Sequence, residues 1–241
     1  MVLKKKDFIE VEFTGRIKGG EVFDSNSVEE LEKLHAGHNH PIERKPLVFC
    51  LGEGMFLKGV DNFLIGKEVG EYTINLSPEE AFGKRDPQSI RMIPLKNFQG
   101  HNLNPIPGSV FNFDGKLAKV LTVSSGRVIV DFNNPLAGKS VEYKIKVLKK
   151  VENMNEKIKA LNEFFFRSDF NFKLEGEKIE LDVPKEIEKF AELFRDKYHE
   201  ILGLKLVLKE ALEKPIEKKE SEVKEAVENI KEKKSVSSKK K

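Results

Sequence analysis

Apolar and polar residues alternate from Asp7 to Ile17. Ile9, Val11 and Phe13 fall on one side and Glu10, Glu12 and Thr14 on the other, the period of a half-buried strand. Gly15 is read as a bulge in that strand. Gly19-Gly20 is read as the turn into Val22-Phe23-Asp24-Ser25. A short apolar strand follows at Leu47 to Leu51, then a glycine loop. Val60, Phe63 and Leu64 next stand at i, i+3 and i+4, which presents one helical face to a sheet. Gly66 and Gly70 close that helix. Tyr72, Ile74 and Leu76 then alternate with Glu71, Thr73 and Asn75 as a further strand. The same alternation returns at Val141, Tyr143, Ile145 and Val147. The run from Ser140 to Lys150 is therefore expected to complete the first sheet, which makes the intervening module an insertion.

That module, from Lys84 to Ala137, has a different texture. It starts rich in proline and turn residues and continues as short strands. Val110 to Phe113 is followed by Asp114-Gly115, Leu117 to Val123 by Ser124-Ser125-Gly126, and Arg127 to Phe132 by Asn133-Asn134-Pro135; these are hairpin signals. A module of about 50 residues cannot bury every apolar side chain. Ile90, Met92, Ile93, Leu95, Phe98 and Phe111 are its expected sticky surface. From Asn153 a third unit is expected: a helix through Phe166, a hairpin with Gly176 in its turn, a helix from Pro184 to Leu202 closed by Gly203, and a strand after it. Residues 26–46 read as an inserted loop with a helical piece, VEELEKL.

Composition narrows the class without naming it. Of 241 residues 39% are hydrophobic and 34% charged, the balance of a soluble globular chain. No apolar run approaches the roughly 18 residues of a membrane span. Lys4, Lys5 and Lys6 precede no apolar stretch, so no signal peptide is expected. Cys50 is the single cysteine, which rules out an internal disulfide and suits a reducing cytoplasm. The net charge of +3 resides in the tail from Glu213 to Lys241, expected to be disordered. A nucleic-acid surface on the body is accordingly not expected. His35, His38 and His40 lie close together. No cysteine or carboxylate pattern completes a metal site there, and none is expected.

Three motifs in order carry a resemblance: F-D-S at Phe23 to Ser25, L-G-x-G-x-x-L-x-G-V from Leu51 to Val60, and L-S-P-E-E-A-F-G from Leu76 to Gly83. Together they resemble the FKBP-type peptidyl-prolyl cis-trans isomerases. The insertion after Gly83 and the return sequence N-N-P-L-A-G-K, Asn133 to Lys139, resemble the long prokaryotic branch with a domain inserted in the flap. The resemblance implies an α+β fold with an antiparallel sheet wrapped on a short helix. Residues 1–83 and 138–152 would form the isomerase domain and 84–137 an insert-in-flap chaperone domain. A C-terminal α+β domain would follow at 153–212, then the charged tail at 213–241.

The implied reaction is rotation about an X–Pro bond, with clients that are unfolded or nascent proline-containing polypeptides. The amide's resonance sets a barrier of about 18–20 kcal/mol. No bond is made or broken, so no cofactor is needed. A dry, apolar pocket suits the twisted amide better than the planar one; a ~10⁵-fold acceleration corresponds to roughly 7 kcal/mol. Carried over by motif, Asp24, Phe23, Phe82 and Tyr143 would act on the rotating bond. Phe13, Leu47, Phe49, Phe56, Leu57 and Val60 would bind substrate, with the Leu57 N–H on a substrate carbonyl. Phe13 and Phe82 stand where relatives carry tyrosine, and Val60 where many carry tryptophan. By spacing alone these aromatics are ordinary core, Asp24 a turn residue, and Cys50 structural. Asp24→Ala or Tyr143→Ala is expected to slow isomerisation and leave the fold intact. Two rival readings remain: a non-catalytic holdase with a degenerate pocket, and an assembly module dimerising through Phe164, Phe165 and Phe166.

Overall fold

The structure, a computed structural model, describes residues 1–28, 30, 31 and 46–210. Most of the expected helical piece at 28–34, the histidines His35, His38 and His40, and the tail at 213–241 lie outside the described residues. Two compact units emerge, Met1–Arg167 and the chain from Ser168 onward.

The first unit is built on a five-stranded antiparallel sheet. Strand β1 (Phe8–Ile17) carries β2 (Val22–Ser25) and β3 (Leu47–Cys50) end to end along one edge. Strand β9 (Val141–Lys150) pairs with its other edge, and β4 (Glu71–Leu76) closes the far side. The return strand thus lies second from that edge, between β1 and β4. Gly15 is a break in register where β1 meets β2. Ile9, Val11, Ile74, Val141, Ile145 and Val147 are all buried. Helix α1 (Lys58–Leu64) adds Val60 and Leu64, each fully buried in the same cluster. It approaches the sheet closely because Gly59 has no side chain. A Cβ there would sit 2.6 Å from a Leu76 methyl and 2.9 Å from the Glu80 carbonyl oxygen.

The insert is a four-stranded antiparallel sheet in the order β5-β8-β7-β6, with β5 at Ile90–Pro94, β6 at Val110–Phe113, β7 at Lys116–Ser124 and β8 at Arg127–Asp131. Its two tight turns take left-handed pairs, Asp114 with Gly115 and Ser125 with Gly126, the backbone that two-residue hairpins require. The proline-rich opening holds more order than its composition implies. It contains a 3₁₀ turn at Pro87–Ser89, strand β5 and a short helix α2 (Leu95–Gly100). Phe98, expected on the surface, is 2% exposed. Its ring meets Phe111 at 5.5 Å and Phe113 at 5.6 Å, so it is the centre of the module's small core with Ala118, Val120, Val128 and Val130. Among the expected sticky residues Met92 is the exposed one, while Ile90, Ile93, Leu95 and Phe111 are half-buried. Leu117, Ile106, Val110 and Leu103 are exposed in addition.

Two crossings join insert and sheet, and they are tied to each other. The Gly138 N–H donates to the Gly83 carbonyl at 2.8 Å. The Asp86 N–H donates to Asn133 Oδ1 at 2.8 Å, and Asn133 Nδ2 returns a bond to the Asp86 carbonyl at 2.9 Å. Arg85 pairs with Asp131.

Helix α3 (Met154–Phe166), capped by the Asn153 side chain, ends the first unit. Ile158, Leu161 and Asn162 form its buried face, and Lys157 lies over the Phe8 ring. The third unit expected from Asn153 and the second compact unit therefore differ by the length of this helix. Phe164, Phe165 and Phe166 are half-buried. The second unit has β10 (Phe172–Glu175) antiparallel to β11 (Lys178–Val183), and β12 (Lys205–Glu210) parallel to β11. The single helix expected after Pro184 is instead a 3₁₀ turn at Lys185–Ile187 and two helices, α4 (Glu188–Glu192) and α5 (Arg195–Leu202). The chain tightens where Leu193 and Phe194 donate to carbonyls three residues back, which ends one helix and re-aims the next.

Candidate functional site

The site is assembled by four elements that converge on Tyr143. Strand β9 presents Tyr143, β1 presents Phe13, β2 presents Phe23 and the loop before α1 presents Phe56. Ring centroids run Phe82 to Phe23 at 5.6 Å, Phe23 to Tyr143 at 5.8 Å, and Tyr143 to Phe56 at 5.6 Å. Phe56 continues to Phe49 at 5.3 Å, and Phe13 touches both Phe56 and Tyr143. Most pairs are edge-on, the arrangement aromatic quadrupoles favour. Phe13, Phe49, Val60 and Tyr143 are buried and form the floor. Phe23, Leu47, Phe56, Leu57 and Phe82 are only partly buried against that floor and form its rim. The nine expected apolar residues, Phe13, Phe23, Leu47, Phe49, Phe56, Leu57, Val60, Phe82 and Tyr143, thus pack into one cluster, and Asp24 lies outside it.

Local sequence aims each wall. Asn26 grips β1 from beside β2: its Oδ1 accepts the Phe13 N–H at 2.6 Å and its Nδ2 donates to the Val11 carbonyl at 3.0 Å. Ser25 Oγ donates to the Phe13 carbonyl at 3.0 Å. These bonds hold the Phe23-Asp24 pair in register with Phe13. In S-P-E-E-A-F-G, Glu80 accepts from both the Ser77 N–H and the Ser77 hydroxyl, a capping box. The Gly83 N–H then closes on the Pro78 carbonyl at 2.6 Å, which turns Phe82 toward Phe23.

Gly15 makes room for the wall. A Cβ at that position would lie 2.9 Å from two Tyr143 ring carbons and 3.0 Å from the Phe23 ring. Neither ring can step aside, since both are packed. Gly15→Ala is expected to cost about 1–3 kcal/mol of stability by overpacking, read by urea unfolding.

The polar groups are few. Asp24 is exposed as a residue, yet burial of its carboxylate raises its pKa above the ordinary carboxylate value, with the Ser25 N–H opposing the rise. Burial, and then the Asp24 charge, push the Tyr143 phenol well above its usual range. Its hydroxyl stays protonated, and it has no hydrogen-bond partner among the described residues. The Leu57 N–H, at the start of α1, likewise has no acceptor among them, while its carbonyl takes the Val60 and Asp61 N–H groups. The arrangement offers an apolar floor, two unengaged donors and one desolvated carboxylate.

Three contributors escaped the sequence reading, Asn26, Gly59 and Asp61, and Gly15 entered it only as a bulge. Asp61 lies in the first turn of α1 and is 3% exposed. A polar residue beside Val60 on the buried side of the helix is the signal that could have found it. Among the described residues, no group of three or more His, Cys, Asp or Glu side chains could hold a metal ion, and no helix is long and apolar enough to cross a membrane.

The chain is similar in sequence to known proteins. A family model described as FKBP-type peptidyl-prolyl cis-trans isomerase matches residues 2–99, and one described as FKBP26, IF domain, matches residues 91–136. A short-type peptidyl-prolyl cis-trans isomerase of Methanocaldococcus jannaschii is 34% identical over 147 residues, 61% of this chain and 92% of the relative. An FKBP-type 16 kDa peptidyl-prolyl cis-trans isomerase of Escherichia coli is 33% identical over 110 residues, 43% of this chain and 73% of that protein. The FKBP-type isomerase SlyD of Helicobacter pylori is 30% identical, covering 49% of this chain and 66% of the relative.

Proposed function

The chain belongs to the FKBP-type peptidyl-prolyl cis-trans isomerases, and on that footing we propose that it isomerises X–Pro bonds at the Tyr143 cluster and binds unfolded chains through its insert. The observation that carries the first half is the continuous ring of Phe82, Phe23, Tyr143, Phe56, Phe49 and Phe13, with its floor buried and its rim open. A proline ring seated there leaves water behind, and its amide loses less on twisting than it would in solution. Planar amides are polar and strongly hydrated, whereas the twisted form has surrendered its conjugation.

The donors have separate tasks. The Leu57 N–H holds the carbonyl on one side of the rotating bond. The Tyr143 hydroxyl, the only hydroxyl on the six rings, meets a second substrate acceptor. With Phe13 and Phe82 lacking hydroxyls, shape and desolvation carry a larger share of the work. Asp24 faces the rotating carbonyl; a carboxylate there disfavours the build-up of negative charge on the planar amide oxygen. Asp24→Asn removes the charge at nearly constant shape, and its exposed setting spares the fold. In a protease-free assay on proline peptides it is expected to lower kcat/KM about tenfold, equivalent to ~1.4 kcal/mol. Wild-type rates in both Asp24→Asn and Phe82→Ala would place the reaction elsewhere.

The second half rests on the insert's exposed apolar residues. Met92, Ile106, Val110 and Leu117 are 56%, 58%, 56% and 65% exposed. A cleft of about 600 Å³ in the insert is lined by Met92, Pro94, Leu103 and Phe113 among others. Exposed apolar surface on so small a module marks an interaction face, and an unfolded chain supplies the matching chemistry. Tethering such a chain raises the concentration of prolines at the pocket.

A further inference from the structure

The loop that delivers Phe56 and Leu57 to the pocket has almost no main-chain support of its own. Among the described residues, the N–H groups of Gly52, Gly54, Phe56 and Leu57 find no main-chain acceptor. Gly52 and Gly54 both have positive φ, +80° and +69°. Their N–H groups lie on the side of the Asp61 carboxylate and lower its pKa. Asp61 also holds the loop's far end, donating its own N–H to the Leu57 carbonyl at 3.0 Å. The side chain is 3% exposed, and its Oδ1 is buried with no partner. A half-satisfied buried carboxylate is costly, and Val60 shows that this stretch of helix accepts an apolar residue readily.

We propose that Asp61 is a positioning residue for the isomerase site: its buried carboxylate fixes the 52–57 loop, and with it the Phe56 ring and the Leu57 N–H, without touching substrate. The proposal rests on the pocket assigned above. Its consequence is a pH response. Burial lifts the Asp61 carboxyl from 3.8 to about 6; the Gly52 and Gly54 N–H groups oppose the rise and Glu53 adds to it. The other groups at this spot are Cys50 at the end of β3, with Lys6 and Asp7 beside it. The Cys50 thiol is pushed up to about 12 by burial and by Glu53 and Asp61, so it stays neutral throughout.

The sign of the effect separates positioning from mere structure. The folded-state value lies above the unfolded one, so the folded protein takes up a proton between about 4 and about 6. Stability from this group therefore rises as pH falls through that window and is lost as pH rises through it. Isomerisation moves the other way, because a protonated Asp61 accepts the two glycine N–H groups weakly and releases the loop. A residue that served stability alone would move both together.

The test uses the full chain. Peptide isomerisation and urea unfolding are measured from pH 5 to pH 8 for the wild type, Asp61→Asn and Asp61→Glu, with the Gly52 and Gly54 amide resonances followed by NMR. Wild-type isomerisation is expected to fall with a midpoint near 6 and the two amide resonances to titrate with it, while stability does not fall. Asp61→Asn is expected to flatten the profile and to be about tenfold slower at pH 8, within the ~100-fold that an ångström of misplacement costs. Asp61→Glu, which keeps the acid, should restore a pH-dependent rate. Wild-type activity in Asp61→Asn at pH 8, or a rate loss that tracks unfolding, would overturn the proposal. If amides titrate without a change in rate while Asp24→Asn is slow, the positioning role falls and the pocket stands. If Asp24→Asn is also at wild-type rate, the pocket itself is misplaced.

Discussion

Tyr143→Ala is expected to be the most damaging single substitution in the isomerase domain. Its ring is 2% exposed and touches Phe13, Phe23 and Phe56. Truncation leaves a void that Gly15, with no side chain, cannot help to fill. Loss of a large buried aromatic ring costs about 3–5 kcal/mol, and the three rings that lean on it lose their common wall. Urea unfolding should show the stability loss, and peptide isomerisation should fall by on the order of 100-fold. Read from the sequence alone, the substitution spares the fold; the burial of Tyr143 is what corrects that expectation. Tyr143→Phe divides the effect. It keeps the ring contacts and should unfold within about 1 kcal/mol of the wild type, so any slowing it causes belongs to the hydroxyl.

Excision of residues 84–137 is expected to leave isomerisation of a short proline peptide within a few-fold of the full chain. Gly83 and Gly138 are already hydrogen-bonded to each other, so a tight turn can close the gap without moving β4 or β9. Catalysis of a refolding protein limited by a proline should drop by about 100-fold, the scale that a tethered second contact supplies. Suppression of aggregation should vanish. A holdase with an idle pocket gives a different pattern: Asp24→Asn then changes nothing in any assay. Substituting Leu117 and Val110 with polar residues tests the surface without removing the module, because both side chains lie outside its core.

How far the sequence carried the fold depended on period and on turn chemistry. The strands at 71–76 and 141–150 follow from alternation, each burying one side, and the strand at 8–17 from the alternation of Ile9 to Phe13, although Phe8 is buried on its other side. The insert's hairpins follow from Asp114-Gly115 and Ser125-Gly126, whose left-handed pairs leave few alternatives. Strand β5 and helix α2 were hidden for physical reasons. Prolines at 87 and 94 flank a five-residue strand, and a six-residue helix is too short to show a period. Phe98 looked exposed because its partners, Phe111 and Phe113, arrive from a different hairpin. The parallel pairing of β11 with β12 is likewise a long-range choice that no local pattern announces.

The site divides along the same line. Phe23, Phe56 and Phe82 were legible because three short motifs in a fixed order contain them, and Phe13, Phe49 and Tyr143 because they stand on the strands that the resemblance places around those motifs. Its supports were not. Gly15 and Gly59 act through the space they leave empty, which is visible only beside Tyr143 and Leu76. Asn26 works by bonding residues more than ten positions away along the chain. Asp61 breaks the apolar pattern of its helix, and a polar residue in a buried position signals a task only once its partners are seen.

The neck between sheet and insert has a mechanical meaning. Its two strands are stitched by Asn133, Asp86, Arg85 and Asp131 before they part. Two loose strings would let the distal lobe twist and wander. A laced ribbon resists torsion, so a chain bound by the insert, as proposed above, would swing through a narrower range than one hung on two loose strings.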